Sequence, residues 1–341
     1  SAGAAWVAVV LGGFTQRIGA GPTILIGMTL TAGAGILGGF SQSGTFLLAT
    51  RFLEGLGFVM TITSAPSLIM EVAAPRNRQA SLALWGMYMP LGTGLMLALS
   101  GPLLVWSDWR GLWWITAAMI VIMIVPTLIA SRPIMQNNRR SRPKIDYGAG
   151  GLRHAFQPGP LLLSLIFGLY ASQYLIIVGF LPILLIELNG LGAFAAATVC
   201  AIVVFLNAGG NALSGWFHNR NYRFSTLVLT GTIGMGICGA LIFVPELDAS
   251  WRIASAAGFS LIAGLVPSSL FSEMPRHAPQ PGALSAITGL LFQGAAIGQF
   301  LGPPAAAALV AGFGTWFTAI PLMVLSAIAV AVCVLCLEFQ S

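Results

Sequence analysis

Arg51 and Glu54 stand one helical turn apart inside an otherwise apolar stretch, TFLLATRFLEGLGFVMTIT. At i and i+3 on a helix the two side chains share a face and can neutralise one another. Left free, Arg51 would offer charge-assisted hydrogen bonds to a carboxylate, and Glu54 would offer a site for a proton. The residues alone leave both readings open: a buried structural ion pair, or a substrate and proton site. Tyr170, Gln173 and Tyr174 form a second constellation at i, i+3 and i+4, one hydrogen-bonding patch on a single face of a greasy segment. Such a patch meets either a solute or a neighbouring helix, not acyl chains. Asn207 and Asn211 make a further i, i+4 pair. Gln293 and Gln299 point about 120° apart on a helix, and Tyr88 with Trp85 supplies aromatic rings for a cavity wall or a core.

Nothing comparable supports group-transfer chemistry. His154, His218 and His277 fall in polar loops, and Glu71, Glu187 and Glu273 lie near the ends of apolar runs. Arg252 closely follows Glu246, Asp248 and Trp251 and is expected at the outer membrane interface. The four cysteines, Cys200, Cys238, Cys333 and Cys336, sit within apolar runs as small core residues, and Cys333-x-x-Cys336 has no third ligand nearby. No phosphate-binding G-x4-G-K-[ST] loop occurs. The expectation is therefore no catalytic residue, no metal and no cofactor, with an ion gradient as the driving force.

Composition says which elements must position these residues. Of 341 residues, 57% are hydrophobic and 7% charged, with a mean hydropathy of +0.90, so lipid rather than water must surround most of the chain. The expected class is an all-α polytopic membrane protein. Apolar runs long enough to cross the bilayer lie at about 23–40, 44–70, 79–106, 111–131, 159–187, 192–217, 224–245, 249–272, 283–311 and 313–338. Ser1 to Leu11 is apolar but too short to span and reads as the tail of a truncated helix, not as a signal peptide.

Twelve of the fifteen basic residues fall in alternate loops: Arg17, Arg76, Arg78, the cluster from Arg132 to Arg153, Arg220, Arg223 and Arg276. That bias makes those loops, the linker and the C-terminus cytoplasmic and the protein a multi-pass plasma-membrane protein. The net charge of +6 then follows from topology, and nucleic acid is excluded as a partner. A monomer in the lipid bilayer, acting on a small molecule, is expected.

The chain also carries an internal repeat. A shift of 203 residues brings Gly12, Gln16 and Arg17 onto Gly215, Asn219 and Arg220, and Ala80, Ala83 and Gly86 onto Ala283, Ala286 and Gly289. A shift of 201 superposes Arg51, Gly57, Pro66 and Ser67 on Arg252, Gly258, Pro267 and Ser268, so both parts contain Arg-x5-Gly-x8-Pro-Ser. Between them the polar, Pro- and Gly-bearing stretch 132–157 reads as a linker. The expected organisation is a first bundle over 1–131, incomplete at its start, the basic linker 132–157, and a second bundle over 158–341. By the repeat, a counterpart to the span near Pro158 would begin roughly 45 residues before Ser1.

Two six-helix halves joined by a basic linker resemble the major facilitator superfamily, and local motifs carry the resemblance further. Leu47-x3-Arg51-x2-Glu54-Gly55-x-Gly57 is similar to the family's L-x3-R-x2-Q-G-x-G pattern, with Glu54 in place of Gln. Gly12-x3-Gln16-Arg17-x-Gly19 resembles the G-x3-D-R-x-G-R-K loop with an amide for the acid, and its mate Gly215-x3-Asn219-Arg220 shows the same change; in the family that loop acts as a charge-dependent conformational latch. Trp109-Arg110 is a further common feature. The G-x3-G-P pattern of many proton-driven exporters is missing from the fifth helix of the family frame, where Gly86, Pro90, Gly94 and Ala98 form a small-residue stripe. It stands instead on the eleventh, as Gly298-x3-Gly302-Pro303, within a further glycine stripe begun by Gly294.

The resemblance implies a secondary active transporter working by alternating access, with the first, fourth, seventh and tenth helices lining the cavity. Arg51, Tyr88, Tyr170, Gln173, Tyr174, Asn207, Asn211 and Gln293 are then the substrate-binding candidates and Glu54 the proton-coupling candidate. The expected cargo is a small organic solute, with an anion favoured by Arg51; a proton-driven drug or metabolite exporter is the alternative within the class, and a channel or structural bundle the alternative outside it.

Overall fold

The computed structural model describes residues 18–140, 150–279 and 281–339. Its regular elements are helices: α1 (Ala20–Gly39), α2 (Gly44–Val72), α3 (Arg78–Trp85), α4 (Tyr88–Trp106), α5 (Trp109–Arg140), α6 (Gly150–Ala155), α7 (Pro158–Glu187), α8 (Ala193–Asn219), α9 (Phe224–Ile242), α10 (Ala249–Ala263), α11 (Leu265–Glu273), α12 (Pro281–Phe313) and α13 (Ile320–Glu338). Among the described residues ten helical stretches are long and apolar enough to cross a membrane, in register with the ten runs read from the sequence. Helices are the form in which a chain in hydrocarbon satisfies its own backbone. On α5, Met119, Ile122, Val125 and Ile129 are exposed at helical spacing, the face of a helix solvated by acyl chains.

Two runs expected as single spans are broken. The stretch beginning near residue 79 divides between α3 and α4 at Gly86–Met87, and that beginning at 249 divides between α10 and α11 at Gly264. Both breaks have the same cause. Pro90 and Pro267 lack an N–H, so the carbonyls of Gly86 and Ala263 lose their i+4 donors, and a ring clash opens the helix there. Pro66, Pro182, Pro303 and Pro304, by contrast, lie within continuous helices.

The chain forms two compact units. One comprises Ser1–Arg78, Leu99–Leu161 and Met274–Gln293. Within it α1 packs along α2 and α5, and the closest approach is at Gly27 and Gly57: a Cβ on either would fall within 2.6 Å of the other's carbonyl oxygen. Small residues there let the backbones touch, which is how helices pack without a hydrophobic force between them. The other unit comprises Gln79–Ala98, Leu162–Glu273 and Gly294–Ser341. Its counterpart contact joins the glycine stripe of α12 to α7, where a Cβ on Gly298 would lie 1.9 Å from the Gly168 carbonyl oxygen.

Candidate functional site

In the first unit, the α2 helix starts cleanly because Ser43 accepts a hydrogen bond from the Phe46 N–H at 3.2 Å, a side-chain N-cap. Two turns later Arg51 donates to Glu54. The guanidinium carbon lies 4.6 Å from the centre of the Trp113 ring of α5, a cation–π arrangement. Glycines on α1 make room for the group: a Cβ on Gly38 would come within 2.9 Å of Arg51, and one on Gly35 within 3.1 Å of the Glu54 carboxylate. The pair therefore lies under α1 and against α5. Its satisfaction is incomplete, since the buried Nε of Arg51 and Nε1 of Trp113 have no hydrogen-bond partner. Gln293, in the same unit, is half-buried on α12.

The second unit brings together most of the remaining candidates. Along α7, Phe167, Tyr170 and Tyr174 stack in sequence with ring centres 5.9 Å apart at each step, and Tyr174 stacks on Phe259 of α10 at 6.4 Å. In the other direction Phe167 meets Phe271 edge-on, Phe271 contacts Trp85 at 4.7 Å, and Trp85 stacks on Tyr88. The i, i+3, i+4 spacing thus becomes an aromatic ladder that crosses five helices. Polar atoms are set into it: the Tyr170 hydroxyl faces Asn207, and that of Tyr174 faces Ser260 outside strict hydrogen-bond geometry. Gln173 is 1% exposed, and its Oε1 is unpartnered. An unmet acceptor at that depth costs on the order of 1–3 kcal/mol, which a water or a ligand donor would recover.

Asn207 and Asn211 belong to a seam on α8 that continues through Ser214 and His218 at i, i+4, i+7 and i+11. Asn207 donates to the Ser260 carbonyl at 3.0 Å and Asn211 to the Asn207 carbonyl at 2.8 Å. Ser268 donates toward Asn211 Oδ1 at 2.6 Å. Ser269 lies 3.1 Å from Ser214 and 3.2 Å from His218 Nε2. This seam surrounds the break at Gly264, where a Cβ would sit 2.4 Å from the Asn207 carbonyl oxygen. His218, expected in a loop, is buried in the last turn of α8 because Ser269 supplies a polar partner there. The stripe was legible as a polar 4-3-4 spacing; its partners on α11 were not.

Arg252, in the first turn of α10 at the end of a span, is 0% exposed. It donates to Asn189 Oδ1 at 2.7 Å, to the Ile242 carbonyl, and to the carbonyls of Val244, Pro245 and Leu247 at 3.0, 3.3 and 3.1 Å. Five acceptors around one planar cation replace the water that an interface would have provided. Of the loop motif, Gly12, Gln16 and Arg17 lie outside the described residues. Gly215 is buried against Ala83, Asn219 ends α8, and the Arg220 guanidinium lies 4.0 Å above the Trp216 ring.

The Major Facilitator Superfamily model matches residues 1–297. Monocarboxylate transporter 11 of Mus musculus is 28% identical over 309 residues, covering 85% of this chain and 66% of its own length. A probable 4-methylmuconolactone transporter of Cupriavidus pinatubonensis is 27% identical, covering 70% of this chain and 56% of its own. The chain thus spans less than two thirds of the length of these curated relatives. Among solved structures, a variant of the Escherichia coli fucose:proton symporter superposes with a TM-score of 0.76 at 15% identity, covering 98% of this chain and 87% of that one. A human organic anion transporter does so at 0.72 and 16% identity, covering 98% and 81%. These likenesses concern fold, and the relatives and neighbours are transporters, not enzymes. With a family model matched over most of its length, the chain belongs to the major facilitator superfamily.

Proposed function

We propose that this protein is a secondary active transporter that carries a small organic solute across the plasma membrane by alternating access, coupled to protons. The observation that carries the reading is the α7 face, where two stacked tyrosines and the unpartnered Gln173 amide oxygen present ring and hydrogen-bonding surface inside a membrane-spanning bundle. Tyr170, Gln173 and Tyr174 are its solute contacts, with Tyr88 at the far end of the same ladder. Asn207 and Asn211 hold the helices behind it.

Arg51 and Glu54 supply the coupling. Within the first unit, a guanidinium drawn away from Glu54 leaves a carboxylate without its cation in an apolar site, and such a carboxylate takes up a proton. A monocarboxylate or a methylmuconolactone, the cargoes named for two relatives, is the solute to test first. The excess of Lys and Arg in alternate loops supports a cytoplasmic linker and C-terminus.

The test is counterflow in proteoliposomes of full-length protein. Saturable exchange of a labelled monocarboxylate supports a carrier, whereas non-saturable flux shows a channel and sinks the proposal. Glu54→Gln should keep exchange and lose accumulation driven by a pH gradient; unchanged accumulation would remove Glu54 from the coupling.

A further inference from the structure

Two buried hydrogen-bond donors of the first unit end without an acceptor, Arg51 Nε on α2 and Trp113 Nε1 on α5. They belong to one cluster. The guanidinium carbon lies 4.6 Å from the centre of the Trp113 ring, and the point where a Cβ on Gly38 would stand is 2.9 Å from Arg51 Nη2 and 3.1 Å from Trp113 Nε1. Glu54 is held by Nη2, which leaves Nε to another partner. No further charge competes for it: α1 contains no ionisable residue, and Arg110 is committed to Asp108 and to the Ser41 carbonyl at 3.0 Å each.

Both unmet groups are donors, so the cluster lacks an acceptor, and beside a guanidinium a charged acceptor gains roughly twice what a neutral one does. Space narrows the choice. A single methyl group on Gly38 would already crowd Arg51 and the indole, so a halide-sized ion suits this wall better than an organic acid. The Arg51 side chain is 35% exposed, which gives an ion a way to reach it. We propose that Arg51 Nε and Trp113 Nε1 form a binding site for a small inorganic anion of halide type, which shares the guanidinium with Glu54. The inference goes beyond the transport reading and does not rest on it, because binding is measured without transport. Since Glu54 and the ion compete for one cation, removing the carboxylate charge tightens the ion's hold, a signature that an ion pair alone lacks.

The experiment melts full-length protein in detergent in the bulky anion gluconate, with chloride substituted in rising proportion at constant ionic strength. The expected result is a saturable rise in melting temperature of roughly 2–4 °C. Trp113→Phe keeps a ring beside the guanidinium but removes the N–H, and should raise the chloride concentration at half-shift about tenfold, the size of one hydrogen bond to an ion. Arg51→Lys, which keeps the charge and loses Nε, should raise it at least as far, whereas Glu54→Gln should lower it severalfold. A parent melt indifferent to chloride overturns the site, as does an unchanged half-shift in Trp113→Phe or a raised one in Glu54→Gln. Each variant is compared with itself in gluconate, so a lower baseline leaves the chloride shift readable, and Glu54→Gln carries the test should the other two not fold. Counterflow is scored separately: its absence alongside an intact chloride shift sinks the transport reading and leaves the anion site standing.

Discussion

The two copies of Arg-x5-Gly-x8-Pro-Ser have the same spacing and have diverged in what each does with it. In the first copy Arg51 answers a carboxylate three residues on and keeps one nitrogen unpartnered. In the second, Arg252 has no acid and is enclosed by five oxygens of the neighbouring turns. The backbone diverges as well. Thr63 stands where the second copy has Gly264, and its hydroxyl bonds the Val59 carbonyl at 2.8 Å in a helix that runs on through Pro66. At Gly264 the helix breaks before Pro267, and the absent side chain admits the α8 backbone. One copy has kept a reactive pair on a rigid helix; the other has spent its arginine on architecture and gained a joint.

Substitutions in matched positions put that contrast at risk. Arg252→Ala has the largest expected effect, a loss of about 3 kcal/mol or more, because buried carbonyls are left without donors; a detergent melt should fall by roughly 5 °C or more, and Arg252→Lys should recover only part of it, since an ammonium cannot span the same acceptors. A melt within 1 °C of the parent for Arg252→Ala would show that the cage contributes nothing to stability. Gly264→Ala should cost about 1–3 kcal/mol through its clash with α8, while tolerance of alanine would mean the joint has slack. Arg51→Ala should change stability by only about 1 kcal/mol yet lower anion exchange about tenfold or more. Exchange that persists in a folded Arg51→Ala protein makes both arginines structural. Glu54→Gln should be the mildest in the melt, within about 0.5 kcal/mol, and a larger drop would show that the first copy leans on its ion pair as heavily as the second leans on its cage.

Much of the fold was legible. Span number and span limits among the described residues follow from hydrophobic run length. Both breaks were missed because a run of apolar residues looks the same on either side of them; their sign was a proline four residues after Gly86 and Ala263, in a chain whose other prolines leave helices intact. The α7 patch was read correctly as one face, but whether Tyr170 would meet a solute or a neighbour depended on Phe259, Asn207 and Phe271, which arrive from distant segments. The enclosure of Arg252 could not be read from the nearby acids, because its carbonyl cage exists only once the 242–247 turn has folded over it.

The sequence by itself determined that this chain lives in lipid as a bundle of ten described spans with a repeated motif. Hydrophobic length and backbone hydrogen bonding within a helix are local properties and need no partner. Tertiary structure alone decided which polar groups are paired and which remain open. A side chain's hydrogen-bond partner in a membrane bundle is chosen by close helix packing, and the glycines that permit that packing record only that something comes near, never what.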